Sequence, residues 1–370
     1  MKGLPSSTVS ADAHAELDPE QIGLFAFQVF SKLEGAVTAG MIHLGDRLGL
    51  YRALAEAGSP LSTGDLAART GLHERWLREW AYNQGAAHIV EIDDDERLSI
   101  TPVAAVVLAD PDHPAFAMGP FSHLPQTMES LQQLPESFRT GLGADYDAHG
   151  PECAEGIARG FEPWMRAHLL SGVIPQLDGV EARLRHGTTV ADVGCGAGGM
   201  VLLFAEAFPA SRVVGYDISQ HALDLARRRQ ADAAVGNVEL LDPRQSPMPD
   251  DGSVGFVTTF DCLHDMTDPD SVVRAIRAAL DPDGTWLLVD IKAHDTYAEN
   301  ANRNPMASLM YGISVLSCMS SALSEPGGAG LGTLGLSAAR AEAMARGAGF
   351  TRFRVLEVDH PINAFYEIRP

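Results

Sequence analysis

The chain has 370 residues, 45% of them hydrophobic and 21% charged, with a formal net charge of -22. That is the mix of an ordinary soluble globular protein, long enough for two domains. Its acidity disfavours nucleic acid and anionic membrane surfaces as partners, because both need basic patches. The four cysteines, Cys153, Cys195, Cys262 and Cys318, show no CxxC spacing, so neither a zinc knuckle nor a redox pair is visible. Isolated cysteines fit a reducing cytoplasm. The N-terminus "MKGLPSSTVSADAHAELDPE" lacks the apolar core of a secretory signal, and no apolar run is long enough to span a bilayer.

Residues 1–17 read as a mobile tail. From 18 to 57 apolar residues recur at helical spacing. The stretch 61–102 predicts a helix, a tight turn at Gly71, a second helix and a hairpin. That hairpin pairs "HIVEI" with "RLSIT" around "DDDE". Helix-turn-helix followed by a hairpin is a winged-helix pattern, assigned here to 18–110. Residues 1–110 hold 8 Lys+Arg and 16 Asp+Glu, a net of 8 − 16 = -8. The second helix mixes Arg75 and Arg78 with Glu74 and Glu79, and the wing tip is Asp93–Glu96. This surface is wrong for phosphate contacts. The apolar stripe of 22–50 fits a subunit interface better. A helical connector is expected over 111–186.

From 187 to 370 strands alternate with helices, which predicts a parallel doubly wound α/β sheet. The expected strands are "TTVADVG", "RVVGYDI", "NVELLD", "VGFVTTF" and "TWLLVDI". The final pair, "RFRVLEVD" and "NAFYEIRP", would form an antiparallel hairpin at one edge through a short "HP" turn. The first strand-to-helix turn is "ADVGCGAGG", where glycines let a ligand approach the backbone closely. Gly194, Gly196 and Gly199 satisfy GxGxxG, so a nicotinamide dehydrogenase competes. Against it, Asp192 would repel a pyrophosphate but could bind a cationic amine. The loop also has no following Arg or Lys to neutralise phosphates. Asp217 ends the second strand, where a carboxylate accepts ribose hydroxyls, and Asp242 ends the third, near where an adenine amino group would lie.

"DVGCGAGG", "GYDIS", "LLDP" and "TTFDCLHDMTDP" resemble the successive motifs of class I S-adenosylmethionine-dependent methyltransferases. The N-terminal winged-helix-like region resembles the dimerisation domain of small-molecule O-methyltransferases. "MIHLGDRLGLY", "TGLHERWLREW" and "GFTRFRVLE" resemble a bacterial family of two-domain methyltransferases. The resemblance covers nearly the whole chain after residue 18. It implies S-adenosylmethionine as cofactor, a Rossmann-like sheet and a homodimer built through the N-terminal domain. One group of similar architecture methylates the thioether sulfur of 4-methylthio-2-hydroxybutyrate, en route to dimethylsulfoniopropionate. "DIKAHDTYAENANRNPM" and "PINAFYEIRP" point the resemblance toward that group. The alternatives are an O-methyltransferase of a hydroxylated metabolite and a winged-helix transcription regulator.

The candidate cofactor residues are Asp192, Gly194, Cys195, Gly196 and Gly198, with Asp217, Ile218, Asp242 and Phe260. His264 follows the fourth strand, on the carboxyl rim where ligands of open α/β sheets bind. Its "LHDM" is similar to the "LHDW" that carries the base in plant-type O-methyltransferases, with Met266 in place of Trp. His264 is therefore the candidate catalytic residue, its tautomer fixed by Asp265 or a nearby acid. A hydroxyl acceptor needs such a base, whereas a thioether carries no proton to lose. His294–Asp295 repeats the His-Asp pair, but the cofactor already supplies the electrophile and no metal is expected. Residues 292–336 form an insertion whose "SEPGGAGLGTLG" suits a lid. Arg303, Asn304 and Tyr311 from it, and Tyr146 from the connector, are the candidate substrate residues.

Overall fold

The computed structural model describes residues 17–370. The tail expected over 1–17 lies, apart from Leu17, outside these residues. The chain divides between Ala105 and Val106 into two compact units.

The first unit opens with a long helix, Pro19–Arg47. Asp18 caps it by accepting the Glu20 N–H, and Pro19 occupies the first turn, where its missing N–H costs nothing. Leu50–Ala57 and Thr63–Thr70 follow, the latter started by a Ser62–Asp65 capping box. Gly71, at φ 71°, makes the predicted tight turn into Glu74–Ala86. Strands β1 (Glu91–Ile92) and β2 (Leu98–Ser99) form the expected hairpin, with Ile92 opposite Leu98. Leu50, Leu54, Leu66, Leu77, Trp80 and Leu98 make the core. Gly45 is required by packing, since a Cβ there would lie 2.7 Å from the Tyr51 ring. The long helix buries only Thr38, Ile42, His43 and Gly45, and leaves Phe25, Phe27, Phe30 and Leu33 exposed.

The second unit is built on a seven-stranded sheet. Its strands are β3 (Thr189–Val193), β4 (Arg212–Tyr216), β5 (Val238–Leu241), β6 (Val254–Phe260), β7 (Leu280–Ile291), β8 (Arg352–Val355) and β9 (Asn363–Arg369). The order is β5-β4-β3-β6-β7-β9-β8. The first five pair in parallel, and β9 pairs antiparallel with both β7 and β8. The antiparallel edge is as expected from sequence, but its connection is not a two-residue turn. It spans residues 356–362, because His360 Nδ1 accepts the N–H groups of Ile362 and Asn363 and turns the chain back only there. Alternation along the strands loads both faces. Phe256 and Leu287 pack with Phe204 on one side, while Val257 and Leu288 pack with Ile276 and Trp286 on the other. Residues expected to form a connector contribute to this core directly, through Met165 and Leu169.

Candidate active site

The glycine loop joins β3 to the helix Gly199–Ala207. Gly194 (φ 74°) and Gly196 (φ 53°) both adopt left-handed backbone that other residues resist. A Cβ on Gly194 would sit 2.6 Å from the Cys262 sulfur, whereas one on Gly196 would meet nothing within 4 Å. The loop is therefore pressed against the β6 turn on one side and open on the other. Gly199, the third glycine of the GxGxxG match, is needed for packing. A Cβ there would lie 2.1 Å from the Glu162 carboxylate. Glu162 is buried, forms a two-pronged ion pair with Arg229 at 2.6 Å, and Arg229 also donates to the Ala197 carbonyl at 3.0 Å. The loop is thus propped from below by a charge pair that sequence reading missed, its members being 67 residues apart.

Strand-end acids surround the loop. Asp217 accepts the Gly196 N–H at 2.7 Å and the Ser219 N–H at 2.8 Å, which fixes its carboxylate beside the half-exposed Ile218. Burial raises its pKa against those two bonds. Asp192 is fully buried. Burial pushes its pKa up to about 7, although Thr258 donates to it at 2.7 Å. Asp242 differs. Arg244 grips both its oxygens at 2.9 Å and holds its pKa low, and Gln220 donates at 3.1 Å. Its charge is already answered by a cation. Cys195 and Phe260 are core residues behind the loop, Phe260 packing edge-on against Phe161. Gly198, at φ 75°, approaches Ala226.

The β6 rim carries the densest chemistry. Asp261 leaves the strand at φ 48°, an unusual backbone for a residue other than glycine, and accepts a bond from Asn363. The turn Leu263–Asp265 then buries His264, whose Nδ1 lies 2.6 Å from the Asp290 carboxylate. Of the acids the sequence offered to orient His264, adjacent Asp265 is not the one that does so. Asp290, on β7 and 26 residues away, is. Burial opposes the charged imidazole, but the Asp290 charge and hydrogen bond win and hold its pKa well above the ordinary value. The Cys318 thiol also interacts with the ring. Burial, together with the Asp290 charge, pushes Asp261 up to about 8 and Asp265 up to about 7, despite the relief from His264.

The insertion and the connector close over this rim. Gly332 N–H donates to the His264 carbonyl at 3.1 Å, and Ala329 N–H to that of Thr267 at 2.9 Å. The glycine-rich stretch expected as a lid is therefore docked on the His264 turn. A strap over 143–149 ties in from the other side. Gly143 donates to the Leu323 carbonyl, Ala144 N–H to Ser320, and His149 meets Ser321 at 3.1 Å. Asp147 in the same strap accepts the Ser219 hydroxyl at 2.5 Å and the Gln220 N–H at 3.1 Å. Between these anchors lies half-buried Tyr146, its ring edge-on to His149. Burial raises its pKa well above the ordinary value, helped by Cys153, Asp265 and Asp217.

The interactions of the other candidate substrate residues are local ones. Arg303 is exposed and pairs with Glu299 at 3.5 Å. Asn304 ends its helix and accepts the Met306 N–H, and Tyr311 meets the exposed Tyr297 ring at a tilt, the centroids 5.7 Å apart. A helix periodicity does not say which face meets the cleft. Among the described residues no group of three or more His, Cys, Asp and Glu side chains could hold a metal.

Residues 184–325 match the model of a methyltransferase domain, and residues 36–109 match that of the Rv2258c-like winged HTH domain. This chain is a class I S-adenosylmethionine-dependent methyltransferase. The methyltransferase is 26% identical over 279 residues to the mitomycin biosynthesis 6-O-methyltransferase of Streptomyces lavendulae, covering 70% of this chain and 75% of that one. Among solved structures it resembles a mitomycin 7-O-methyltransferase (TM-score 0.67, 21% identity, covering 95% of this chain and 99% of the other). It also resembles human N-acetylserotonin methyltransferase in complex with S-adenosylmethionine (TM-score 0.68, 14% identity, covering 96% and 98%). At these identities the structural likenesses establish the fold.

The residues present fit the methyltransferase's cofactor. Gly196 leaves open space beside a fixed Asp217 carboxylate, and an apolar Ile218 edge stands next to it. The neighbouring acids, Asp192 and Asp265, have raised pKa values that a cationic ligand would relieve.

Proposed function

We propose that this methyltransferase methylates a hydroxyl oxygen of a small organic acceptor, with His264 as general base. The observation that carries this reading is the buried His264–Asp290 pair at the carboxyl rim of the sheet. S-Adenosylmethionine supplies an electrophilic methyl group on a sulfonium. Asp217 would hold its ribose, with Gly194, Gly196 and Gly198 shaping the loop and Asp192 near the amino group. Asp290 holds His264 Nδ1, which leaves Nε2 to take the acceptor's proton and lets the resulting imidazolium rest against a carboxylate. The docked lid and strap exclude water and align the acceptor, with Tyr146 at the chamber wall. The relatives named for O-methylation support the same atom. S-methylation of 4-methylthio-2-hydroxybutyrate is the less supported reading, since a thioether needs no base and Arg303 stands on the surface. With labelled cofactor over a panel of phenols, alcohols and thioethers, label should appear in a hydroxyl product. Label only in thioether products would overturn the hydroxyl assignment.

We further propose that the long N-terminal helix makes a homodimer. Its exposed phenylalanines, Phe27 at 74% and Phe30 at 68%, form the kind of contiguous apolar patch that marks an interface. Substituting both by aspartate should convert a dimer to a monomer in light scattering. A wild-type monomer would end this proposal. DNA is a poor partner, because Arg75 and Arg78 are each paired with a glutamate one turn away on the same helix. Among the described residues no helix is long and apolar enough to cross a membrane. The free state of all four cysteines supports a cytoplasmic enzyme.

A further inference from the structure

We infer that the acceptor chamber selects by charge: it admits acceptors that are neutral or cationic near the reacting hydroxyl, and turns away carboxylates and phosphates. This deepens the proposed methyl-transfer reading and rests on it. Three carboxylates, Asp261, Asp265 and Asp290, lie at the His264 rim on the ends of β6 and β7 and the turn between them. Among the described residues none of the three has a lysine or arginine as ion-pair partner. The one cationic side chain that pairs there is His264. Asp261 is held instead by the neutral amide of Asn363. Asp290 is fully buried and its Oδ2 has no hydrogen-bond partner, so even the dyad carboxylate is only half answered.

Three cations of the described chain, Lys292, Arg303 and Arg244, are committed elsewhere. Lys292, two residues past Asp290, turns its ammonium to the His360 carbonyl at 2.5 Å. Arg303 is paired with Glu299 on the surface, and Arg244 with Asp242 at the edge of the cofactor loop. An anionic acceptor would bring a further negative charge into a desolvated site where like charges repel strongly. Burial first, and the Asp290 charge after it, already raise the pKa of Asp261 and Asp265. A neutral phenol or alcohol pays no such penalty, and an amine would gain.

The Cys318 thiol, beside His264, allows a test that does not depend on knowing the acceptor. The helix Cys318–Ala322 packs on the Leu263–Asp265 turn. The full-length protein, saturated with S-adenosylhomocysteine, would be treated with iodoacetamide or with iodoacetate, and Cys318 alkylation followed by mass spectrometry. The two reagents have similar size and form the same S–C bond with loss of iodide, but only iodoacetate is anionic. The neutral reagent should be favoured at Cys318 by at least about tenfold over its preference for a free thiol, at a pH above the raised carboxyl values. In an Asp261→Asn, Asp265→Asn variant this preference should shrink. A wild-type ratio equal to the free-thiol ratio would overturn the inference. So would failure of iodoacetamide to reach Cys318, because the chamber must admit small neutral molecules. Calorimetry keeps the two readings apart. No S-adenosylhomocysteine binding means the methyltransferase reading has failed, whereas binding without charge discrimination sinks only the chamber inference.

Discussion

Replacing His264 by alanine is expected to lower turnover of a hydroxyl acceptor by about 10²- to 10⁴-fold, the range of a lost general base. Cofactor affinity should change little, since His264 is anchored to Asp290 at 2.6 Å and not to the glycine loop. The pH profile carries more information than the size of the loss. A base must be neutral to accept a proton, and the Asp290 charge and hydrogen bond keep His264 protonated well above the usual imidazole range. Turnover should therefore rise with pH through and beyond that range. Asp290→Asn retains an oxygen for Nδ1 but removes the charge, so the rising limb should move to lower pH while turnover falls. A structural role for Asp290 would lower turnover without moving the limb. An unshifted limb in this variant, or full activity in His264→Ala with a hydroxyl substrate, would refute the dyad.

Asp217→Ala should weaken cofactor binding by about 100-fold, since two charge-assisted hydrogen bonds are lost and each contributes about 1.5–3 kcal/mol before water substitutes for it. The rigidity of the acceptor matters as much as its charge. Both Asp217 oxygens are steered by backbone N–H groups, from Gly196 and Ser219, before any ligand arrives. Losing the side chain also frees those two donors, so the melting temperature should be measured alongside. Titration calorimetry with S-adenosylhomocysteine decides the matter. An affinity within twofold of wild type, on a folded variant, would exclude Asp217 from the ribose site.

The strap over 143–149 ties the segment after Asp217 to the insertion that docks on the His264 turn. Asp147 anchors it to Ser219 and Gln220, just after Asp217, while Gly143 and Ala144 anchor it to Leu323 and Ser320 in the insertion. The segment after Asp217 and the insertion thus share a single short strap. Tyr146 belongs to this strap, and burial, with Cys153, Asp265 and Asp217, raises its pKa.

Much of this enzyme was legible in its linear pattern. Alternating apolar runs and helical stretches specify a parallel sheet, because a strand buried on both faces and an amphipathic crossover helix have different periods. A residue that ends a parallel strand is delivered to the carboxyl rim by the fold itself, so Asp217, Asp242 and His264 could be assigned to that rim from position alone. Tertiary structure decided what depends on which strands are neighbours and on which way a side chain turns. Asp290 ends its strand in the same way, yet only the adjacency of β6 and β7 makes it the partner of His264 in place of Asp265. That Arg244 folds back onto Asp242, and that Arg303 stands exposed beside Glu299, is likewise a matter of side-chain direction. Strand order and rotamer are set by packing between residues distant in sequence, and so no local pattern carries them.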